Sequence, residues 1–304
     1  MAKKALHHFA TRALSIFGGA AGRRMDAAGI GRRFTAHAYP GGPAWATSRI
    51  HAQLTGETAR GCTVFVHGLM GDDLTWREGE DRDLGRHLQQ EFRELPAYLR
   101  YNSGLDLQSN ARRLDAWLCE LEPALSRERP LSLICHSMGG LVALLAIHRT
   151  RAAWTDTLQR IVLLGTPQHG APLARAASRT ESALEEIGAG WSSSLAAMFQ
   201  LRGDSIADLA EGLGDTHVSL PAHARAFVAA GLLGDAPKHE AGALRSALGD
   251  ALVDLDSAAG SLKRAHLEIF ERTGHMQLMY SRAVWNAVSE WWDTAPLSDL
   301  ERTT

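Results

Sequence analysis

Apolar positions along the chain fall into two alternating kinds of segment. Short continuous runs bounded by glycine, proline or charge predict buried strands: CTVFVHG at 62–68, LPAYLRYNSG at 95–104, LSLIC at 131–135, LQRIVLLGTP at 158–167, the weaker ARAFVAAGLL at 224–233, and HLEIFER at 266–272. Between them the spacing becomes helical. In SNARRLDAWLCELEPALSRE, Leu114, Trp117, Leu118, Leu121 and Leu125 share one face, with Ser109 placed as the N-cap and Pro123 bending the helix or opening its last turn. MGGLVALLAIHRT at 138–150 and MYSRAVWNAVSEWW at 279–292 read as further helices. Strands alternating with helices predict an α/β fold with a mostly parallel sheet covered on both faces.

Two regions depart from this rhythm. Residues 171–222 are rich in Ala, Ser and Glu, look helical and offer no strand, as expected of a helical cap inserted between late strands over their carboxyl ends. Trp191, Leu195, Met198 and Phe199 within it line an apolar acyl pocket or simply pack helix on helix; their spacing permits both. Residues 1–60 are the least patterned and are read as an N-terminal extension with leading elements, ahead of a main domain over 61–300. Leu6, Ala10, Ala13, Leu14 and Phe17 lie at helical spacing, and His7, His8, Thr11 and Arg12 break the apolar core that a signal peptide needs. An amphipathic helix and a cytoplasmic location are therefore expected.

Composition narrows this reading only slightly. Of 304 residues, 45% are hydrophobic and 22% charged, enough apolar content for a sizeable core. A net charge of −2 argues against nucleic acid as a partner. Cys62, Cys119 and Cys135 lack metal-site spacing and fit free thiols in a reducing compartment.

The chemistry concentrates at Cys135-His136-Ser137-Met138-Gly139-Gly140, where a serine sits between a buried strand and a helix. A turn this sharp strains the serine backbone and needs small residues two before and two after it. Gly139 satisfies this, and Cys135 is compact enough if its sulfur enters the apolar gap beside the helix. The helix that starts at Met138 favours negative charge at the serine oxygen. A serine nucleophile needs a base and an acid, which in this strand–turn–helix setting follow in the order acid, then histidine. His275 follows the last strand, whereas His266, the rival base, opens it. Asp250 follows the 224–233 strand and ranks ahead of Asp254 and Asp256. Backbone amides of Met138 and of Leu69, in the loop after the first long strand, would make an oxyanion hole. Gly68 lets that loop turn toward the site, and His67 lines it or braces it by a hydrogen bond.

Together, VHGLMGDDLTW, RYNSGLDLQSNARRLDAWL, CHSMGGLVAL, LLGTPQHGAPLARA, GDALVDLDSA and GHMQLM resemble the serine lipases and esterases of the α/β-hydrolase superfamily. The likeness is closer to bacterial lipase-like proteins related to the GPI inositol-deacylase branch, and spans about residues 62–293. The resemblance implies an α/β-hydrolase fold and hydrolysis of a small-molecule or lipid ester with no metal or organic cofactor, leaving transient lipid-surface contact open. Ser137, Asp250 and His275 would be the triad, Leu69 and Met138 the oxyanion hole, and His67, Gly68, Thr166 and Pro167 part of the substrate pocket, with Gly170 shaping its wall. Cys135 and Ala251 stand where the family usually has glycine. An acyltransferase or thioesterase would use the same triad, and a non-catalytic binding protein the same fold.

Overall fold

The computed structural model describes residues 34–56, 58–77, 83–150, 152–171, 204–233, 250, 253, 255–260 and 262–294. The expected helix near the N-terminus, Asp254, Ala251 and the cap residues Trp191, Leu195, Met198 and Phe199 lie outside the described residues.

The strands are β1 (Thr35–His37), β2 (Ala44–Trp45), β3 (Gly61–Val66), β4 (Glu94–Arg100), β5 (Leu131–His136), β6 (Leu158–Leu164), β7 (Arg225–Leu232) and β8 (Ala265–Glu271). They form one sheet in the order β2-β1-β4-β3-β5-β6-β7-β8. Pairing from β4 through β8 is parallel, and β1 runs antiparallel to both its neighbours. The helices are α1 (Thr47–Thr55), α2 (Leu84–Phe92), α3 (Leu107–Leu121), α4 (Met138–Arg149), α5 (Trp154–Thr157), α6 (Asp204–Glu211), α7 (Leu255–Ala259) and α8 (Arg282–Trp292). β1 and β2 are too short, at three and two residues, to leave a periodic signal, and the sequence reading did not find them.

Every central strand reads as a continuous apolar run because both faces are covered. Cys62, Val64, Val66, Leu133, Cys135, Ile161, Leu163 and Val228 face a core shared with α3 and α4. Alternate residues Phe65, Tyr98, Ile134, Val162 and Phe227 face a second core that holds Trp285, Trp291 and Trp292 of α8. Helix α3 starts differently from expectation. Its N-cap is Asp106, whose carboxylate accepts both the backbone N–H (2.7 Å) and the hydroxyl (2.8 Å) of Ser109. A carboxylate three residues ahead outcompetes the serine, which becomes the third helical residue. Pro123 falls in a separate 3₁₀ turn, Glu122–Ala124, that follows α3.

The excursion between β6 and β7 returns through α6. Its roots are pinned together: Ala171 N–H donates to Leu209 C=O and Leu213 N–H to Gln168 C=O, both at 2.9 Å. Ser257 on α7 ties the same neck, accepting from His169 N–H (3.1 Å) and donating to Gly170 C=O (2.7 Å).

At the amino end of β4, Glu94 is buried, accepting from Thr63 Oγ1 at 2.9 Å and from the Trp292 indole. Burial raises its pKa despite those donors and the nearby Arg160. A carboxyl whose folded value lies above its unfolded one stabilises the fold below the unfolded value, here 4.5, and loses that contribution as pH rises through the folded value. The melting temperature of the wild type should therefore fall relative to Glu94→Gln as pH goes from about 5 to about 8. Thermal melts of the two proteins across that range check this, and a constant gap would refute it.

Candidate active site

The carboxyl ends of β3, β5, β6, β7 and β8 point the same way, and the chemistry-bearing residues collect beyond them. Ser137, the residue after β5, has φ 54° and ψ −128°, a conformation that a non-glycine residue adopts only under strain, of order 1–3 kcal/mol. The surroundings impose it. Ser137 N–H donates to Leu164 C=O at the end of β6 (2.9 Å), and α4 begins at once. Gly139 lies so close to the carbonyl oxygens of Val66 and His67 that a Cβ there would overlap both, and Gly140 is equally close to Thr166. Met138 opens α4, where the N–H has no intrahelical acceptor and the helix dipole is positive. Cys135 is fully buried in the cluster that holds Leu141 and Val142 of α4, and burial pushes its thiol pKa up.

Residues 67–76 approach the serine from β3. A Cβ on Gly68 would stand 3.0 Å from Ser137 Cβ, so this loop abuts the serine turn. The loop is braced from several sides. Tyr101 stacks on the His67 ring (centroids 4.1 Å apart), and its hydroxyl donates to His67 C=O (2.6 Å). Tyr101 N–H donates to His67 Nε2 (3.4 Å), so the ring proton sits on Nδ1 and goes to Gly68 C=O (2.8 Å). Met70, at φ 58°, donates its N–H to Ser103 Oγ (2.9 Å). Buried Asp73 binds Arg100 (2.5 Å) and Gly41 N–H (2.7 Å). Burial alone would raise the Asp73 pKa, but the Arg100 guanidinium brings it below the usual value. Leu69 is partly buried within this braced loop.

His275 opens a 3₁₀ turn, His275–Met279, after β8. Its Nδ1–H donates to Asp250 Oδ2 at 2.7 Å, and its backbone N–H to Asp250 C=O at 3.0 Å. Asp250 Oδ1 accepts from Val253 N–H (2.9 Å), and both partners are buried. The structure thus brings together Asp250 and His275, whereas Asp256 is exposed on α7. His266 lies on β8, half exposed, beside Glu268 and the Phe227 ring. Glycines make room for the pair: a Cβ on Gly165, at φ 58°, would touch Asp250 Oδ2 and His275 Nδ1, and one on Gly231 would touch Asp250 Cβ. Thr166 and Pro167 are buried beside Gly165, Gly170 is buried one turn on, and His169 faces solvent.

His136 was missed by sequence reasoning. It is buried between Ser137 and the histidine loop, with Nε2 3.1 Å from His275 C=O and ring centroids 4.7 Å apart. Its place beside the serine was visible in the sequence, but its partner stands 139 residues away. Among the described residues no group of His, Cys, Asp and Glu is arranged to hold a metal ion.

The model of the PGAP1-like alpha/beta domain family matches residues 61–230, more than half of the chain. That span includes the serine turn and ends before Asp250 and His275. Among solved structures, the mature form of Bacillus licheniformis lipase BlEst2 is similar over 77% of this chain and 93% of its own, with a TM-score of 0.57 and 22% identity. The propeptide form of the same lipase has a TM-score of 0.59 and 20% identity over 86% of this chain and 54% of its own. Among curated proteins, none matches the chain. At these identities the likeness establishes the fold, which is the α/β-hydrolase fold.

Because a Cβ at Gly139 meets backbone rather than a movable side chain, Gly139→Ala should destabilise the protein by about 3 kcal/mol, near the upper end for overpacking. Urea unfolding of the two proteins checks this; a loss below about 0.5 kcal/mol, the range of an indifferent surface change, would refute it.

Proposed function

From membership of the chain in the PGAP1-like alpha/beta domain family, we propose that it is a serine hydrolase that cleaves carboxylic esters through an acyl-enzyme on Ser137. The observation that carries this reading is the buried 2.7 Å Asp250–His275 pair beside a serine at φ 54°. With Nδ1–H committed to Asp250, the Nε2 of His275 is left as the base.

His275 Nε2 takes the Ser137 hydroxyl proton as the oxygen attacks the ester carbonyl, and Asp250 stabilises the imidazolium that forms. The N–H groups of Leu69 and Met138 receive the negative charge that develops on the carbonyl oxygen, at the positive end of α4. The tetrahedral intermediate then collapses, its bond to the alkoxy group breaks, and His275 returns its proton to the departing alcohol. Water repeats the sequence on the acyl-enzyme, releasing the acid and restoring Ser137. No step needs a metal or organic cofactor. Exposed Leu233 and Met276 stand beside Gly274 and His275, supporting an ester with an apolar acyl or alcohol part.

The test is hydrolysis of p-nitrophenyl esters from acetate to palmitate. Ser137→Ala should lower kcat by roughly 10⁴-fold or more, with His275→Ala close to it, since members of a triad act as a unit. Equal turnover by wild type and Ser137→Ala would overturn the reading. Failure of the wild type both to turn over any ester and to react with a fluorophosphonate would point instead to a non-catalytic binding protein. Cys135→Gly changes packing and no reacting group, so kcat/KM should stay within about tenfold of wild type; a complete loss would give Cys135 a direct role.

A further inference from the structure

The sheet order sets a problem for the base. β8 lies three strands from β5, and neighbouring strands are about 4.8 Å apart, so the loop after β8 must reach back roughly 14 Å to deliver His275 to Ser137. Asp250 holds that loop from the β7 side, through the His275 ring and its backbone N–H. It does not tie the loop to β5. Among the described residues a contact that does so comes from His136, whose Nε2 meets the His275 carbonyl at 3.1 Å.

A carbonyl only accepts, so His136 Nε2 carries the proton and donates it. The ring is confined: it is 3% exposed, the edge-on Trp76 ring lies 6.4 Å away, and its Nδ1 is turned toward Gly68. Burial first, and then the neighbouring His275 and His67, hold its pKa well below the usual histidine value, while its bond to the His275 carbonyl works the other way. His136 therefore remains neutral at neutral pH and places no second positive charge beside His275.

We propose that His136 is a positioning residue that ties the backbone of His275 to the strand bearing Ser137, fixing the separation of base and nucleophile. This rests on the esterase reading of the site. His136 exchanges no proton with substrate and acts only through His275. With Asp250 on one side and His136 on the other, the His275 N–H, C=O and Nδ1 are all engaged, leaving Nε2 for chemistry.

Three variants of the full chain test this against p-nitrophenyl butyrate. His136→Phe keeps a ring and removes the donor. His136→Asn keeps an amide whose nitrogen falls short of the Nε2 position. His136→Gln places an amide nitrogen the same number of bonds from the backbone as Nε2. A base displaced by about 1 Å slows chemistry by roughly 100-fold, so Phe and Asn should lower kcat by about 10- to 100-fold with KM within about twofold. Fluorophosphonate labelling of Ser137 should slow in parallel, and Gln should restore kcat to within about tenfold of wild type. If Phe fails to fold, the Asn and Gln pair decides. Equal kcat for Asn and Gln at equal melting temperature, or wild-type kcat for Phe, overturns the inference while leaving the esterase reading intact. Ser137-independent turnover overturns both.

Discussion

The site depends on one close approach of backbone to backbone. Helix α4 starts so near the end of β3 that only a glycine fits at 139, against the carbonyls of Val66 and His67. That contact leaves the chain no room to relax between β5 and α4, and Ser137 is held at positive φ as a result. The strain is sustained by the two apolar cores around the sheet, since α4 is buried along nearly its whole length. Everything around the serine follows the same economy of space. Gly68, Gly140 and Gly165 each stand where a side chain would meet the serine turn, Thr166 or the Asp250–His275 pair.

A second requirement follows from topology. Ser137 follows β5, whereas Asp250 and His275 follow β7 and β8, two and three strands away, so their loops have to be joined beyond the sheet. Asp250 and His275 share two hydrogen bonds, His136 reaches His275 from β5, and Ser257 on α7 bonds to the neck of the excursion after β6.

Five central strands were legible as apolar runs because both sheet faces are buried, and the serine turn because its small residues sit between a strand and a helix. Less was legible where the determinant is a contact distant in sequence. Asp250 could only be ranked ahead of Asp254 and Asp256 in GDALVDLDSA, and the contact that marks it is with the ring of His275. Ser109 looked like a cap until the carboxylate of Asp106 claimed both its amide and its hydroxyl. β1 and β2 leave no periodic signal over three and two residues, and they are held through the pairing of β1 with both β2 and β4 and through the Gly41–Asp73 bond. His136 and Ser257 are ordinary letters in sequence, and their roles rest on partners in other loops.

The most direct test of a nucleophile activated by this arrangement is the second-order rate of fluorophosphonate labelling, with the modified residue mapped by mass spectrometry. A single adduct on Ser137 is predicted, forming at least about 100-fold more slowly in His275→Ala and measurably more slowly in Asp250→Ala. An adduct elsewhere, or labelling of Ser137 at the same rate in all three proteins, would contradict it.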